Sequence, residues 1–350
     1  MTQASVSSPL ITTVIPTYQR AKLLRRAIES ALEQGGPALI VHVFDNASSD
    51  GTGAVVAEIA ARDTRLRYHR HASNIGAAAN FEFGLRSVQT PYFSILSDDD
   101  YLLPGFYRHA CEDLEAQPEA VFWAGMTLNV DEAGKIWYAR VDQWAREGLF
   151  APPEGLMAML HGMSPVWTGI VFRRAIFDGI GYPDRATRGP SDFDFMLKAG
   201  ARFKYILRKY PAAAFTLHRD SFSSTQPLSS FWPGWQQIFR NVEANGDLGP
   251  GVKSRVLSAL HRDARRMLLR RAANALAIGR YDFCRDAAAA FEAQYGKGLR
   301  PIVLRYLTDV CRRVPPLQAV YTWAYRLAEH LLIRSRLDLE SRFGHLIRRN

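Results

Sequence analysis

Residues 10–44 read LITTVIPTYQRAKLLRRAIESALEQGGPALIVHVF, which is a β-rich run, a helical stretch and a second β-rich run. Leu10–Pro16 predicts a buried strand that ends at the proline, because proline cannot donate to a strand ladder. Arg20–Gln34 predicts a helix whose apolar residues share one face, and Leu39–Phe44 predicts the second strand. Short strands that alternate with helices indicate crossover connections within a mostly parallel sheet.

This alternation continues to about residue 106 and then changes. Further strands are predicted at 66–69 and 92–96 with a helix at 74–88. Longer strands follow at 120–130, 135–141, 167–172 and 202–217, with a helix near 192–199. From about residue 231 the pattern is helical throughout. We therefore expect an α/β domain over residues 1–225, with helices on both faces of its sheet, followed by an all-helical region over residues 226–350.

Composition and local sequence patterns argue against a membrane-spanning protein, a secreted protein and a protein with zinc or thiol redox sites. The chain has 350 residues, of which 47% are hydrophobic and 22% charged, a balance typical of folded soluble domains. It contains no apolar run of the roughly 18 to 20 residues that span a bilayer, and its first residues lack a signal peptide pattern. The three cysteines are far apart and form no C-x-x-C pair, which argues against zinc and thiol redox sites. We expect a cytoplasmic protein.

Charge is distributed unevenly along the chain. Residues 251–350 hold 20 of the 44 Lys and Arg but 8 of the 34 Asp and Glu, which gives this region a charge of +12 and the rest −2. Such a division predicts that the C-terminal helices meet an anionic surface, such as the inner face of the cytoplasmic membrane. The alternative is a helical packing module or homo-oligomer interface with a basic outer face.

Polar clusters follow three of the predicted strands. Ligands of open α/β sheets bind beyond the carboxyl ends of the strands. The clusters are 17–20, 45–46 and 98–100. Three consecutive carboxylates repel one another, and a Mg²⁺ or Mn²⁺ ion that also binds phosphate oxygens would relieve that repulsion. The alternative is a helix cap with solvated acids.

Several single residues carry two interpretations each. Asp192 lies at the first turn of a predicted helix beside aromatic residues, where it is either a general base for a hydroxyl or a helix cap. His218 is either a metal or diphosphate ligand or a structural residue. Arg20 either faces phosphate or lies at the surface, and Asn74 either binds a ligand or forms a turn.

The order of the motifs resembles that of a bacterial family 2 glycosyltransferase of the GT-A fold. The similarity covers about residues 9–225. The motifs are TVIPTYQR (13–20), VFDNASSDGT (43–52), NIGAAAN (74–80), FSILSDDDYLLPGF (93–106), WTGIVFRR (167–174), SDFDFMLKAG (191–200) and LHRDSFS (217–223).

The resemblance implies a role for each matched residue. It implies metal ligation by Asp98, Asp100 and His218, with Mn²⁺ or Mg²⁺ as cofactor, and Asp192 as catalytic base. Residues implied in binding the nucleotide sugar are Pro16, Thr17, Tyr18, Arg20, Asp45, Asn74, Asp98 and Asp99. Two departures from the family pattern are Ser191 in place of Glu, which leaves Asp192 and Asp194 both open as the base, and Ala79 in place of Arg.

The function implied by the resemblance is a metal-dependent inverting transfer of a sugar in the assembly of bacterial surface polysaccharide. We expect a UDP- or dTDP-sugar as donor and a glycan or polyprenyl-linked acceptor. One alternative is a sugar-phosphate nucleotidyltransferase, although the first strand is followed by Pro16-Thr17-Tyr18 and not by a glycine-rich phosphate loop. A nucleic-acid-binding protein, suggested by the pI of 9.6, is disfavoured because no nucleic-acid motif accompanies the basic residues.

Overall fold

The computed structural model describes residues 10–139, 144–217, 227–331 and 334–347. Ten strands form one sheet. The strands are β1 (Ile11–Thr17), β2 (Leu39–Asp45), β3 (Leu66–Arg70), β4 (Tyr92–Ile95), β5 (Tyr101–Leu102), β6 (Ala120–Asp131), β7 (Ile136–Ala139), β8 (Gly148–Phe150), β9 (Ile170–Arg173) and β10 (Lys204–Leu217).

Helices connect and follow these strands. Those of the α/β part are α1 (Ala21–Leu32), α2 (Thr52–Ala60), α3 (Ala77–Arg86), α4 (Phe106–Ala116), α5 (Glu154–Ala158), α6 (Ile176–Ile180) and α7 (Ser191–Arg202). The later helices are α8 (Leu228–Ala244), α9 (Pro250–Ala277), α10 (Tyr281–Tyr295), α11 (Leu299–Arg313), α12 (Pro315–Leu331) and α13 (Arg334–Phe343). The predicted α/β class and the helical C-terminal region are both confirmed.

The sheet is parallel in its first half and mixed as a whole. Its order is β3-β2-β1-β4-β9-β6-β10-β5, with β7 paired to β6 and β8 paired to β10 beside this path. The first four strands of the order are mutually parallel as predicted. Strand β9 enters antiparallel between β4 and β6, while β6 and β10 pair in parallel. The expectation of a mostly parallel sheet is therefore corrected, because a long connection lets β9 enter the sheet in reverse.

Helices cover both faces of the sheet. Side chains alternate along β1, so Ile11 and Ile15 join one buried apolar cluster and Val14 joins the other. Helix α1 contributes Leu24 to the first cluster, and α3 contributes Leu85 to the second. Both apolar faces of the sheet are thereby removed from water, which is the arrangement that a sheet with crossover helices requires.

Helix α3 lies unusually close to the sheet at Gly84. A β-carbon at this position would come within 2.7 Å of Val14 Cγ1 and 3.1 Å of Phe44 Cδ2. Both contacts are closer than side-chain carbons normally approach. The hydrogen atom of glycine lets α3 pack directly on β1 and β2, whose carboxyl ends hold the site described below.

The chain forms two compact units. The first contains residues up to 185, residues 192–218 and residues from 339 onward, and the second contains 186–191 and 219–338. In the first unit, Leu339 and Ile347 are part of a buried cluster, and the Glu340 carboxylate accepts a hydrogen bond from the Ile136 N–H at 3.0 Å. The boundary predicted near residue 225 falls among residues that the structure does not describe.

The second unit is helical. Helices α9, α10, α11 and α12 pack in succession, and α8 packs against α9 and α10. In the described parts of the chain, each helix is either too short or too polar to cross a lipid bilayer.

Candidate active site

The carboxyl ends of three adjacent parallel strands bring the predicted polar clusters together. Strand β1 lies between β2 and β4, so Thr17, Asp45 and the acids after β4 share one edge of the sheet. The Thr17 hydroxyl donates to Asp98 Oδ2 at 2.7 Å, and the backbone N–H of Asn46 donates to the Thr17 carbonyl at 3.0 Å. These bonds connect all three strand ends.

Arg20 connects the first two acids. Its Nη1 lies 3.2 Å from Asp98 Oδ1 and 2.5 Å from Asp99 Oδ2. Asp98 is 6% exposed. Its burial and the neighbouring charge of Asp99 raise the pKa of Asp98 to about 6, against the opposing effect of Arg20. The charge of Arg20 therefore does not offset the burial of Asp98 and its repulsion by Asp99.

Asp100 has a different environment from Asp98 and Asp99. It is completely buried, and its two carboxylate oxygens accept hydrogen bonds from the Thr168 hydroxyl at 2.8 Å and the Thr216 N–H at 2.9 Å. Burial raises the pKa of Asp100 well above its usual value. Its contacts bind the acid loop to β10 and to the short 3₁₀ turn at Trp167–Gly169.

Asp45 ends β2 as a buried acceptor. Its carboxylate accepts from the Ser48 N–H at 2.8 Å and from the Tyr68 hydroxyl at 2.6 Å. Arg70 lies 3.7 Å from the same carboxylate. Burial and the contact with Asp45 raise the pKa of Tyr68, which therefore stays a hydrogen-bond donor. Three residues at the end of β1 were also predicted to bind the nucleotide sugar. Of these, Pro16 is half-buried, Thr17 is buried and Tyr18 is exposed.

Asn74 shapes the loop beside Asp45. Its side-chain oxygen accepts from Asn46 Nδ2 and from the Gly76 N–H, each at 2.8 Å. Asn46 Oδ1 in turn accepts from the Ile75 N–H at 2.8 Å. Asn74 thus forms a turn, which was one of its two predicted roles. Its side chain is also exposed, so a ligand can reach it.

The two candidate bases on α7 differ in accessibility. Asp194 is 1% exposed, and its carboxylate lies 2.6 Å from Lys198 Nζ. Asp192 is exposed, and its Oδ1 accepts from the Phe193 N–H at 2.7 Å. Surrounding protein nevertheless partly desolvates the Asp192 carboxylate, and this raises its pKa. Only Asp192 combines access to solvent with a raised pKa.

Trp167 and Thr168 connect α7 to the acid cluster. The Trp167 ring lies 5.5 Å from the ring of Phe195, which is one turn after Asp192, and it stacks on Phe81 at 5.4 Å. The next residue, Thr168, binds Asp100. The candidate base and the acids are therefore parts of one packed assembly.

His218 lies outside the described residues, so its predicted metal contact is not described. In residues 10–139, 144–217, 227–331 and 334–347, no group of three His, Cys, Asp or Glu side chains forms a metal cage. Asp98 and Asp99 nevertheless suit a cation whose other ligands are phosphate oxygens, because burial and the charge of Asp99 raise the pKa of Asp98 and a bound cation would relieve this repulsion.

Sequence reasoning missed several contacts that support the site. Tyr68 and Arg70 reach Asp45 from β3, Thr168 holds Asp100, and Arg26 Nη2 donates to the Asp99 carbonyl and the Thr216 hydroxyl, each at 2.8 Å. These residues are 23 or more positions from their partners. The WTGIVFRR motif, which contains Thr168, was the one available signal.

The chain is similar to known glycosyltransferases. The family model described as "Glycosyl transferase family 2" matches residues 12–181. An uncharacterized glycosyltransferase of Rickettsia typhi is 26% identical over 195 residues, which are 55% of this chain and 58% of that protein. The chain thus spans little more than half the length of that relative.

Two shorter matches have described roles. The succinoglycan biosynthesis protein ExoO of Rhizobium meliloti is 34% identical over 35% of this chain and 33% of its own. The GalNAc(5)-diNAcBac-PP-undecaprenol beta-1,3-glucosyltransferase of Campylobacter jejuni is 34% identical over 28% of this chain and 32% of its own.

Solved structures share the fold. Staphylococcus aureus TarS 1–349, in complex with UDP-GlcNAc, has a TM-score of 0.62 at 16% identity, over 91% of this chain and 92% of that one. The mannosyltransferase PcManGT of Pyrobaculum calidifontis, in complex with GDP-Man and Mn²⁺, has a TM-score of 0.51 at 18% identity, over 93% and 87% of the two chains. The GT-A fold inferred from the sequence motifs is thereby confirmed.

Proposed function

The chain belongs to glycosyl transferase family 2 through residues 12–181, and from this premise we propose that it transfers a sugar from a nucleotide sugar to a hydroxyl of a glycan. We propose further that the transfer is metal-dependent, inverts the anomeric centre and contributes to bacterial surface polysaccharide. The observation that carries this proposal is the meeting of Thr17, Asp45 and the Asp98–Asp99 pair at one sheet edge.

The donor is proposed to lie across the ends of β2, β1 and β4. Two side chains suit a nucleoside. The Asp45 carboxylate, held by Tyr68, can accept hydrogen bonds from the hydroxyl groups of the nucleoside, and the exposed ring of Tyr18 offers an aromatic surface. The diphosphate then lies beside Arg20. UDP-GlcNAc in TarS supports UDP as the first nucleotide to test, with dTDP second.

Asp98 and Asp99 would hold the divalent cation, whose positive charge stabilises the departing diphosphate when it is bound. The Mn²⁺ complex of PcManGT supports this assignment. Asp100 receives a structural role in this proposal, because it is completely buried and its oxygens bind Thr168 and Thr216 in distant parts of the chain. His218 stays a predicted ligand.

Asp192 is proposed as the general base. Its carboxylate accepts the proton of the acceptor hydroxyl while that oxygen bonds to the anomeric carbon, and the bond from this carbon to the diphosphate oxygen breaks. One displacement of this kind inverts the configuration. The raised pKa of Asp192 makes its carboxylate a stronger base than an ordinary aspartate, and its exposure lets an acceptor reach it.

The acceptor is proposed to be a glycan or a glycan on a polyprenyl diphosphate, presented at an anionic membrane. The lipid-linked acceptor in the name of the C. jejuni relative supports this class. Helix α11 exposes an apolar stripe at helical spacing, with Leu299 77%, Ile302 56% and Tyr306 68% exposed. Helix α12 exposes Val320 and Trp323, the latter at 66%. Exposed apolar stripes of this extent are typical of interaction surfaces.

Arginines accompany the apolar stripe. Arg262, Arg265 and Arg266 of α9 and Arg300 at the start of α11 line one open groove of about 610 Å³. Four like charges around one groove favour an anionic partner, and each basic residue near an anionic membrane contributes about 1 kcal/mol. Apolar side chains beside arginines match the surface of an anionic bilayer, which we name as the partner of this face.

The donor site is tested by thermal shift with UDP, dTDP, GDP and CDP, with Mn²⁺ and after its removal by chelation. We expect one nucleotide to raise the unfolding temperature in the presence of Mn²⁺, since a ligand at 100 times its Kd stabilises by about 2.7 kcal/mol. Chelation should remove most of the shift. Asp98→Asn should abolish it, whereas Asp63→Asn, which changes an acid outside the site, should preserve it. A shift that survives unchanged in Asp98→Asn contradicts the proposed site.

A further inference from the structure

A pocket on the sheet has no role in the proposed donor site. It measures about 100 Å³ and is lined by Gly125, Met126, Thr127, Asn129, Tyr138, Trp144, Ser164, Pro165 and Val166. Gly125, Thr127 and Asn129 alternate along β6 and therefore share one face of the strand. A single water needs on the order of 10–15 Å³, so the pocket accepts several waters or part of a larger ligand.

Two polar atoms of the lining lack hydrogen-bond partners. Thr127 is 7% exposed and Trp144 is 2% exposed, and within the described residues neither the Thr127 hydroxyl nor the Trp144 indole N–H has a partner. The indole of Trp167, which follows the lining residue Val166, also lacks one. A buried polar group without a partner costs about 1–3 kcal/mol, so these groups favour a ligand that supplies the missing bonds.

The chemistry of the lining defines the ligand. None of the nine lining residues is charged, which disfavours phosphate and carboxylate groups. An indole N–H only donates, so the ligand must present acceptor oxygens such as hydroxyl or acetamido groups. The aromatic rings of Tyr138 and Trp144 and the apolar side chains of Met126 and Val166 suit the C–H surface of the same ligand. An uncharged sugar ring has both properties.

The Trp167–Gly169 turn connects the pocket with the acid cluster. A β-carbon added at Gly169 would lie 2.9 Å from the Thr127 hydroxyl oxygen, so the turn packs directly on this lining residue. The preceding residue, Thr168, donates to the Asp100 carboxylate at 2.8 Å.

We propose that this pocket binds a neutral sugar unit of the acceptor through Thr127 and Trp144. The inference rests on the proposed function, since it places the acceptor glycan beyond the donor sugar. Its position is coupled to the reaction centre, because Val166 precedes the Trp167–Gly169 turn in which Trp167 packs on α7 and Thr168 binds Asp100.

Saturation-transfer NMR with the methyl glycosides of glucose, galactose, mannose, GlcNAc and GalNAc tests the pocket on the full chain. We expect binding of at least one glycoside, weakened at least fivefold by Thr127→Val, which removes the hydroxyl and keeps the shape, and by Trp144→Phe, which removes the indole N–H and keeps an aromatic ring. Trp137→Phe is the matched control, because the Trp137 indole donates to Asp131 outside the pocket. It should bind like the wild type.

Thermal unfolding without glycoside shows whether each variant folds. Thr127→Val removes an unpaired polar group at nearly constant volume, so we expect it to unfold at or above the temperature of the wild type. Trp144→Phe also leaves space where the larger indole was buried, so we expect it to unfold at a somewhat lower temperature and still cooperatively. If none of the five glycosides binds, or if both variants bind as the wild type does, the pocket holds water only and the inference is overturned. Nucleotide thermal shifts on the same samples test the proposed donor site separately.

Discussion

Three consecutive aspartates of this chain have three different environments. Asp98 is buried beside Thr17, Asp99 pairs with Arg20 at a partly exposed position, and Asp100 is enclosed by two threonine donors. The sequence predicts that a cation lies near this run, because three adjacent carboxylates need positive charge. It could not predict that Asp100 is enclosed, since Thr168 and Thr216 come from distant parts of the chain.

The raised pKa of Asp192 gives a prediction for the pH dependence of transfer. The base must be ionised to accept a proton, so the rate falls as pH falls through its pKa. Because that pKa is raised, the acid limb lies above pH 4, the region of an ordinary aspartate. A pH profile of transfer under donor saturation measures it.

Asp192→Asn should lower kcat on the order of 10² to 10⁴-fold, as expected for the loss of a general base, and remove this limb. Nucleotide binding by thermal shift should stay unchanged and serves as the control. A variant that keeps near-normal turnover removes Asp192 from the mechanism.

His42 of β2 gives a prediction for stability. Burial and the nearby charge of Arg67 lower the pKa of His42 to about 4, below the value near 6.5 of an unfolded chain. Between these values the unfolded state binds more protons, so this contribution to stability is present above pH 6.5 and declines as pH falls toward 4.

We expect His42→Gln to reduce the loss of stability between pH 6.5 and pH 4. Urea unfolding of both proteins at several pH values gives the difference in unfolding free energy, which isolates His42 from the carboxylates that also titrate there. If the difference in unfolding free energy between the two proteins does not change with pH, His42 does not contribute to the pH dependence of stability.

At the scale of elements, the packing of α3 and α2 predicts opposite effects on stability when a glycine in each helix is replaced by alanine. Gly84→Ala forces a methyl group toward Val14 and Phe44, and such overpacking typically costs about 1–3 kcal/mol. Gly53→Ala in α2 meets its nearest atom, the Tyr68 hydroxyl, at an ordinary 3.5 Å and should stabilise by about 0.5–1 kcal/mol. Urea unfolding measures both, and equal effects would show that α3 can shift freely.

The bounds of the strands were predicted more accurately than their directions in the sheet. Strands β1 and β2 lie within one residue of their predicted bounds, although β1 continues through Pro16 to Thr17 and does not end at the proline. The direction of β9 was not predictable from WTGIVFRR, since strand direction depends on pairing with β4 and β6. The order of the seven motifs indicated the fold where local patterns did not.

At the scale of the whole molecule, the charge division of the sequence corresponds to a basic helical surface in the second unit. We predict that the chain sediments with vesicles that contain phosphatidylglycerol and does so less as salt rises, because salt screens surface charge. Arg262→Gln and Arg300→Gln, both in the groove, should together weaken partition roughly thirtyfold, at about 1 kcal/mol for each arginine. Ile302→Ser should also weaken it.

Arg285→Gln is the matched control, since Arg285 lies between Asp282 and Asp309 and outside the groove. Its partition should equal that of the wild type. If vesicles are not bound and light scattering shows a dimer that Ile302→Ser dissociates, the face serves self-association and the membrane proposal fails.

The return of residues 339–347 to the first unit has a consequence for biosynthesis. Leu339 and Ile347 fill part of a core whose earliest member, Val14, is translated about 330 residues before them. A ribosome that has released the sheet and its helices has therefore released a domain with one apolar gap still open. The nascent chain completes this domain only when the last helix emerges, so a chaperone that shields the gap until then would raise the yield of native protein.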